Sequence, residues 1–138
     1  FFHLRNNLYN VIFFSRDNSM YRYDGLRFRK IEASSDPRPA FGVAIQRRLA
    51  IAGAPDKRTT IDISRVDEFN VFPDDEDPAA TAVTKAADIN VANIIGTADE
   101  IKGLGVFENN RLAVFTNDQV VVYALHPDFT QWQRVRAL

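Results

Sequence analysis

Asp74-Asp75-Glu76-Asp77 is the densest run of chemistry-bearing side chains in this chain. Clustered carboxylates suit hard cations such as Ca²⁺, which take oxygen ligands. A calcium loop, however, alternates its acids with other residues and ends on a glutamate after a glycine bend, and that spacing is absent. Consecutive acids point apart along the backbone, so the run reads as a solvated loop of repelling charges, with no metal expected. His3 and His126 are the only histidines. Neither has a Ser-plus-acid or carboxylate partner at the spacing of a triad or metal centre, so both read as strand and turn residues. Arg47, Arg48, Lys57 and Arg58 flank one hairpin and are of the type that contacts phosphates. Asp56 interrupts them and no aromatic platform lies between, so they read as solvated strand ends. Tyr9, Tyr21, Tyr23, Phe28, Phe69, Phe107, Phe115, Tyr123 and Trp132 fall at strand positions. They read as packing between sheets, the minority reading being a carbohydrate-stacking surface. Gly-rich phosphate loops, nucleophile elbows and paired acid/base carboxylates are missing. The expectation is a protein that is not an enzyme and takes no cofactor.

Composition narrows the field further. At 138 residues the chain is long enough for one domain with a real core. With 46% hydrophobic and 12% aromatic residues it has a globular composition. A formal net charge of −1 gives no whole-molecule attraction to nucleic acid. The absence of cysteine excludes disulfides, thiolate catalysis and cysteine-ligated metals within the chain. No apolar run approaches the ~18 residues of a membrane helix, so no membrane span is expected. Phe1-Phe2-His3-Leu4 reads like the interior of a strand, and the chain is expected to be a fragment or processed piece of a longer protein.

The elements that would position these residues announce themselves by repetition. Arg48-Leu49-Ala50-Ile51 returns as Arg111-Leu112-Ala113-Val114. Each copy is followed by a polar turn, a β-branched run (Thr59 to Ile63; Val120 to Tyr123) and an acidic-aromatic pair (Asp67-Glu68-Phe69; Asp128-Phe129). Leu8 to Phe13, a turn at Ser15 to Asn18, and Met20 to Tyr23 resemble a third copy. One hairpin cannot bury its own apolar face, so a reused hairpin implies stacked units. The fold class expected is all-β: antiparallel meanders as β-propeller-like blades, with blade-like repeats at roughly 8–33, 43–72 and 89–135. Asp24-Gly25 is a hairpin signal, and Leu26 to Ile31 is the strand after it. Ser34 to Pro39 is a linker, because its prolines cannot serve a central strand. Phe69 to Phe72 is read as a short third strand, and Ile89 to Ile95 as the first strand of the last unit. Residues 73–88 read as an insertion, with a short surface helix starting from an Asp77 N-cap and Pro78 at the first helical position. Leu49, Ile51, Leu112, Val114, Val121 and Tyr123 are expected in the core at equivalent positions.

The block Arg48 to Pro55 with Ile61 to Phe69, the block Ala98 to Phe115, and Tyr21 to Gly25 together resemble blades of a phage propeller. They are similar to the tail nozzle proteins of short-tailed bacteriophages, also called tail tubular or packaged-DNA stabilisation proteins. The resemblance spans most of residues 8–125, in a chain several times shorter than the proteins of that family. It implies a virion structural protein of the phage tail, assembled in the host cytoplasm as a ring homo-oligomer, a hexamer. It also implies partners in the phage adaptor and other tail proteins, and only transient, non-specific passage of DNA through the lumen. Under this resemblance Asp74, Asp75, Glu76 and Asp77 would be channel or rim residues. The alternative is a carbohydrate- or protein-binding β module on a virion or cell surface.

Overall fold

A computed structural model describes residues 3–6, 8–15, 18–96, 98–108 and 110–137. Phe1 and Phe2, and parts of the turns at 15–18, 96–100 and 109–110, lie outside the described residues. Strands make up 41% of the chain and the fold is all-β, in three antiparallel sheets with no closed barrel. The first sheet runs β1 (His3–Asn6), β2 (Leu8–Phe13), β3 (Tyr21–Tyr23), β4 (Phe28–Lys30). The second runs β5 (Phe41–Ile45), β6 (Arg48–Ala52), β7 (Thr60–Ile63), β8 (Ala87–Asn90), and the third β9 (Ile101–Phe107), β10 (Arg111–Thr116), β11 (Val120–Ala124), β12 (Gln133–Ala137). In each, every strand pairs with its neighbour in sequence, so all three are plain meanders. Each has four strands; Val43 to Ala52, which reads as one strand in the sequence, is the hairpin of β5 and β6.

Local chemistry sets the turns. Asp24 accepts hydrogen bonds from the Leu26 and Arg27 amides, and Gly25 takes φ +95°, which closes the β3–β4 turn. The β5–β6 loop is two residues, Gln46 and Arg47, both left-handed at φ 45° and 63°. That is the conformation of a tight hairpin loop, here without its usual glycine. Asp67 braces it: its amide donates to the Arg47 carbonyl at 2.8 Å, and its carboxylate receives the Arg47 guanidinium.

Two apolar layers hold the sheets face to face. Leu49 and Ile51 of β6 pack with Ile12, Met20, Ile31 and Phe72, between the first and second sheets. The opposite face of the second sheet, with Ile45, Ala50, Ala52, Ile61 and Ile63, packs on Leu112, Val114, Val121 and Tyr123 of the third. Side chains alternate across a strand, so one sheet serves both layers. All six residues expected in the core are buried. Full burial of each such side chain is worth roughly 1.5–3 kcal/mol. Gly42 of β5 lets the first sheet come close: a Cβ there would overlap the Phe14 ring.

Three expectations fail locally. Phe69 to Phe72 forms turns, with Phe72 plugging the first layer, and the strand beside β7 is β8, which begins inside the stretch read as an insertion. Residues 77–86 form turns and no helix. Ile89 to Ile95 is a strand only as far as Asn90. There the Asn90 side chain accepts from the Ala92 amide at 2.9 Å, and the single helical turn α1 (Ala92–Ile95) follows.

Candidate functional site

The long connection between β7 and β8, residues 64–86, carries the acidic run Asp74 to Asp77. Its four consecutive acids do not act as one cluster, because each reaches a different partner. Asp74 accepts from the Lys57 ammonium at 2.8 Å. Asp75 accepts from the Ser35 amide and hydroxyl at 2.6 and 2.8 Å, and from the Phe72 amide. Glu76 accepts from the Arg65 guanidinium and from the Ala86 amide at 2.8 Å. Asp77 accepts from the Ala79 amide at 2.9 Å. Asp74 and Asp77 are exposed, while Asp75 and Glu76 are half-buried. The loop is thus pinned by its acids rather than spread by their repulsion. Among the described residues, no group of three or more acidic or histidine side chains is placed to hold a metal ion.

Arg48 explains why the helix is missing. Only 2% exposed, it donates to the carbonyls of Ser64, Val83 and Lys85 at 3.0, 2.7 and 2.6 Å. The Val83 carbonyl would be a helical acceptor, and here it and the Lys85 carbonyl are turned onto the guanidinium. The Thr84 carbonyl also accepts, from the Val66 amide. Asp77 still makes its cap-like bond, but no second turn propagates from it. Burial works to lower the pKa of Arg48, and the charges of Asp128 and Glu76 oppose that shift. Sequence reasoning read this residue as a solvated strand end. Nothing in its neighbouring sequence signalled otherwise, because its partners Val83 and Lys85 lie far along the chain.

Lys57 lines a cleft of about 320 Å³ together with Pro37, Pro39, Pro55, Asp62 and Asp74 among others. Its ammonium bridges Asp62 and Asp74, at 3.0 and 2.8 Å. Burial pulls its pKa down, but the hydrogen bonds and charges of the two aspartates outweigh that, and the net shift is upward. Asp62 is buried, and burial raises its pKa against the pull of Lys57, with Asp74 and Asp88 adding repulsion. Its Oδ1 has no hydrogen-bond partner among the described residues. This arrangement holds charge in place. It offers no nucleophile beside a base.

The other residues singled out by type do not converge. Arg47 forks onto Asp67, and Arg58 stands 4.0 Å from Glu100, so the four cations of the middle hairpin face different partners. His126 organises a turn: its Nδ1 accepts from the Asp128 amide, and its carbonyl accepts from Trp132 Nε1 at 2.7 Å. The His3 side chain lies outside those described. Among the aromatics, Tyr123 is core, while Tyr21, Tyr23, Phe28, Phe107 and Phe115 are exposed on outer sheet faces. No protein-family model matches the chain, and no curated protein and no solved structure matches it either. Among the described residues, no helix is long and apolar enough to cross a membrane.

Proposed function

We propose that this chain is a structural section of a β-propeller in a nozzle-type tail ring of a short-tailed phage, where it helps retain packaged DNA and forms part of the conduit for its ejection. The observation that carries the reading is the double use of one phrase. Arg48-Leu49-Ala50-Ile51 and Arg111-Leu112-Ala113-Val114 both form the second strand of a four-stranded meander, and both turn their branched residues toward the preceding sheet. Sheets that repeat in this sense are what a blade array needs, and the phrase is among the residues that resemble the nozzle family.

A conduit must not hold what passes through it, because each Lys or Arg that neutralises a phosphate adds affinity. Three cations of the second meander are occupied with acids of the chain, Arg47 with Asp67, Lys57 with Asp62 and Asp74, Arg65 with Glu68 and Glu76, while Lys85 carries no ion pair among the described residues. Asp74 and Asp77 remain exposed, in the place a non-adhesive rim would use them. The protein therefore acts by shape and charge, with no bond-making step.

Two measurements test this. Titration with duplex DNA at physiological salt should give only non-specific binding, with Kd around 10⁻⁴ M or weaker. The gene should lie beside those of a portal and an adaptor, and electron microscopy of the protein assembled with those partners should show rings. Tight sequence-specific DNA binding, glycan-array binding lost on changing an exposed Tyr, or hydrolysis of a glycan or phosphoester would overturn the reading.

A further inference from the structure

Asp62 stands where the repeated unit elsewhere uses an apolar residue. In the second sheet Ile51 pairs with Asp62, and in the third the matching Val114 pairs with Val121. Partners directly opposite in a sheet share a face, so Asp62 and Val121 hold equivalent places on the faces turned toward the preceding sheet. Val121 is fully buried in the core. Asp62 is 7% exposed and brings a carboxylate to that place. A well-packed apolar residue is often as stabilising as a buried ion pair, or more so. The third sheet is built with valine there, so folding alone does not account for the acid.

Its surroundings make the acid costlier. Asp88 is its other cross-strand partner, and like charges directly opposite are destabilising. Lys57 divides one positive charge between Asp62 and Asp74. Asp56, also in the cleft, has no ion pair among the described residues. Asp36 is answered separately, by Lys30 and Arg38. The cleft is therefore richer in acid than in base, and Asp62 Oδ1 has no hydrogen-bond partner among the described residues. Pro37, Pro39 and Pro55 supply apolar lining and have no backbone N–H to offer an anion.

Excess carboxylate, apolar lining and an acceptor without a donor are the complement of a cationic head with N–H donors on a hydrocarbon stem. A bare metal ion does not fit, since no group of three acids among the described residues is placed to hold one. The volume of about 320 Å³ suits a small group, at the lower end of the roughly 300–1,000 Å³ of ligand pockets.

We propose that the cleft between residues 35–39 and the β6–β7 turn binds an alkylguanidinium or alkylammonium group, its N–H donors on Asp62 and its stem against the prolines. A free small cation and an arginine or lysine side chain of a partner share this chemistry. The site does not depend on the tail reading, and its failure would leave that reading untouched. Lys57 is the cleft's own ammonium, and it competes with the ligand for Asp62 and Asp74.

The test is a ¹⁵N NMR titration of the full chain with butylguanidinium, butylammonium and tetramethylammonium chlorides. The first two should bind saturably and shift the amides of Ile51, Thr60 and Asp62. Tetramethylammonium, with the charge but no N–H, should not. Asp62→Val should keep the fold and weaken binding about tenfold or more, the loss of a charge-assisted hydrogen bond. Asp62→Asn should weaken it as well, and carries the test if the valine variant does not fold. Lys57→Met should tighten binding, which a purely structural Asp62 would not produce. Asp118→Asn, in the β10–β11 turn, should change nothing. A blocked Gly-Arg-Gly peptide binding as tightly as butylguanidinium would assign the cleft to a partner's side chain, and its rejection would assign it to a free cation; either upholds the site. No saturable shift with either N–H cation would overturn the proposal. So would an equal response to tetramethylammonium, or an Asp62 variant that folds and binds as tightly as the unaltered protein.

Discussion

Arg48 and Arg111 open the same four-residue phrase, on the same strand of two stacked sheets, and do opposite things. Arg48 is buried and binds three carbonyls, two of them across the long connection between β7 and β8. Arg111 is half-exposed, with no side-chain hydrogen bond among the described residues. The difference lies in what each sheet must hold. The connection between β11 and β12 closes on itself, through Asp128 to Thr130 and Trp132 to His126. The longer one between β7 and β8 has no helix or strand of its own beyond a single 3₁₀ turn at Pro73–Asp75, and it borrows Arg48 as a donor. A sequence phrase that differs only in Ile51 against Val114 therefore sets the strand and its facing. The neighbouring loop sets the role of the first residue.

The largest expected effect tests that contrast directly. Arg48→Ala should cost about 3–5 kcal/mol, since hydrogen bonds to a charged donor are worth roughly 1.5–3 kcal/mol each and the Ser64 carbonyl would be left buried without one. Arg111→Ala should stay within about 0.5 kcal/mol, as surface changes do. Urea unfolding of the two variants measures this, and equal losses would break the comparison. The second position of the phrase should show the reverse, equality. Leu49→Ala and Leu112→Ala should each cost about 2–5 kcal/mol, as deletions of buried leucine do. A loss below about 0.5 kcal/mol at either would show that its strand register is wrong.

The alternating strands were legible because burial on one or both faces imposes a period that survives in composition: β6, β7, β10 and β11 lie where the apolar pattern puts them. The facing of Leu49 and Leu112 followed from the same period. What stayed illegible depends on contacts far apart in the chain. β8 is a short strand of mixed polarity, Ala87-Asp88-Ile89-Asn90, and only its pairing with β7 makes it one. Phe72 looked like a strand residue because it is aromatic, yet it fills a gap between sheets. Residues 77–86 carry a plausible helix start and form turns, with the Val83 and Lys85 carbonyls on the Arg48 guanidinium. For the site, residue type located the acids and bases. The partner each one chose, such as Ser35 for Asp75, depends on a linker brought alongside by the stack.

Smaller effects sharpen the same contrast. Gly42→Ala should cost about 1–3 kcal/mol, the range for overpacking, because Phe14 of the first sheet occupies the space. Gly103→Ala, on the first strand of the third sheet, should be neutral to within about 0.5 kcal/mol, since its Cβ would touch Phe115 at an ordinary 3.8 Å. Thermal unfolding distinguishes them. The least effect concerns pH. The Arg65 guanidinium, with the Ala86 amide, holds Glu76 below its ordinary value of 4.5. A depressed carboxylate contributes stability that is present above its unfolded pKa and lost as pH falls through the folded one. Glu76→Gln should therefore lower stability at neutral pH and flatten the part of the acid limb below pH 4.5. Asp62, raised by burial, works in the opposite sense and in the window above its ordinary value of 3.8, so Asp62→Asn should steepen the acid limb there.

The pairing of Ile63 with Ala87 carries a further consequence, for the order of events in folding. Every other neighbouring strand pair closes a short loop, and this one must bring together ends separated by the whole β7–β8 connection. Loop-closure entropy grows with that length, and contacts distant in sequence form slowly. β8 therefore zips onto the second sheet after the local hairpins have formed, and the Arg48 hydrogen bonds to Val83 and Lys85 form with it. Interactions made after the transition state slow unfolding and leave the folding rate almost unchanged. Arg48 is thus expected to act as a latch on the native state: stopped-flow kinetics of Arg48→Ala should show faster unfolding at a nearly unchanged folding rate.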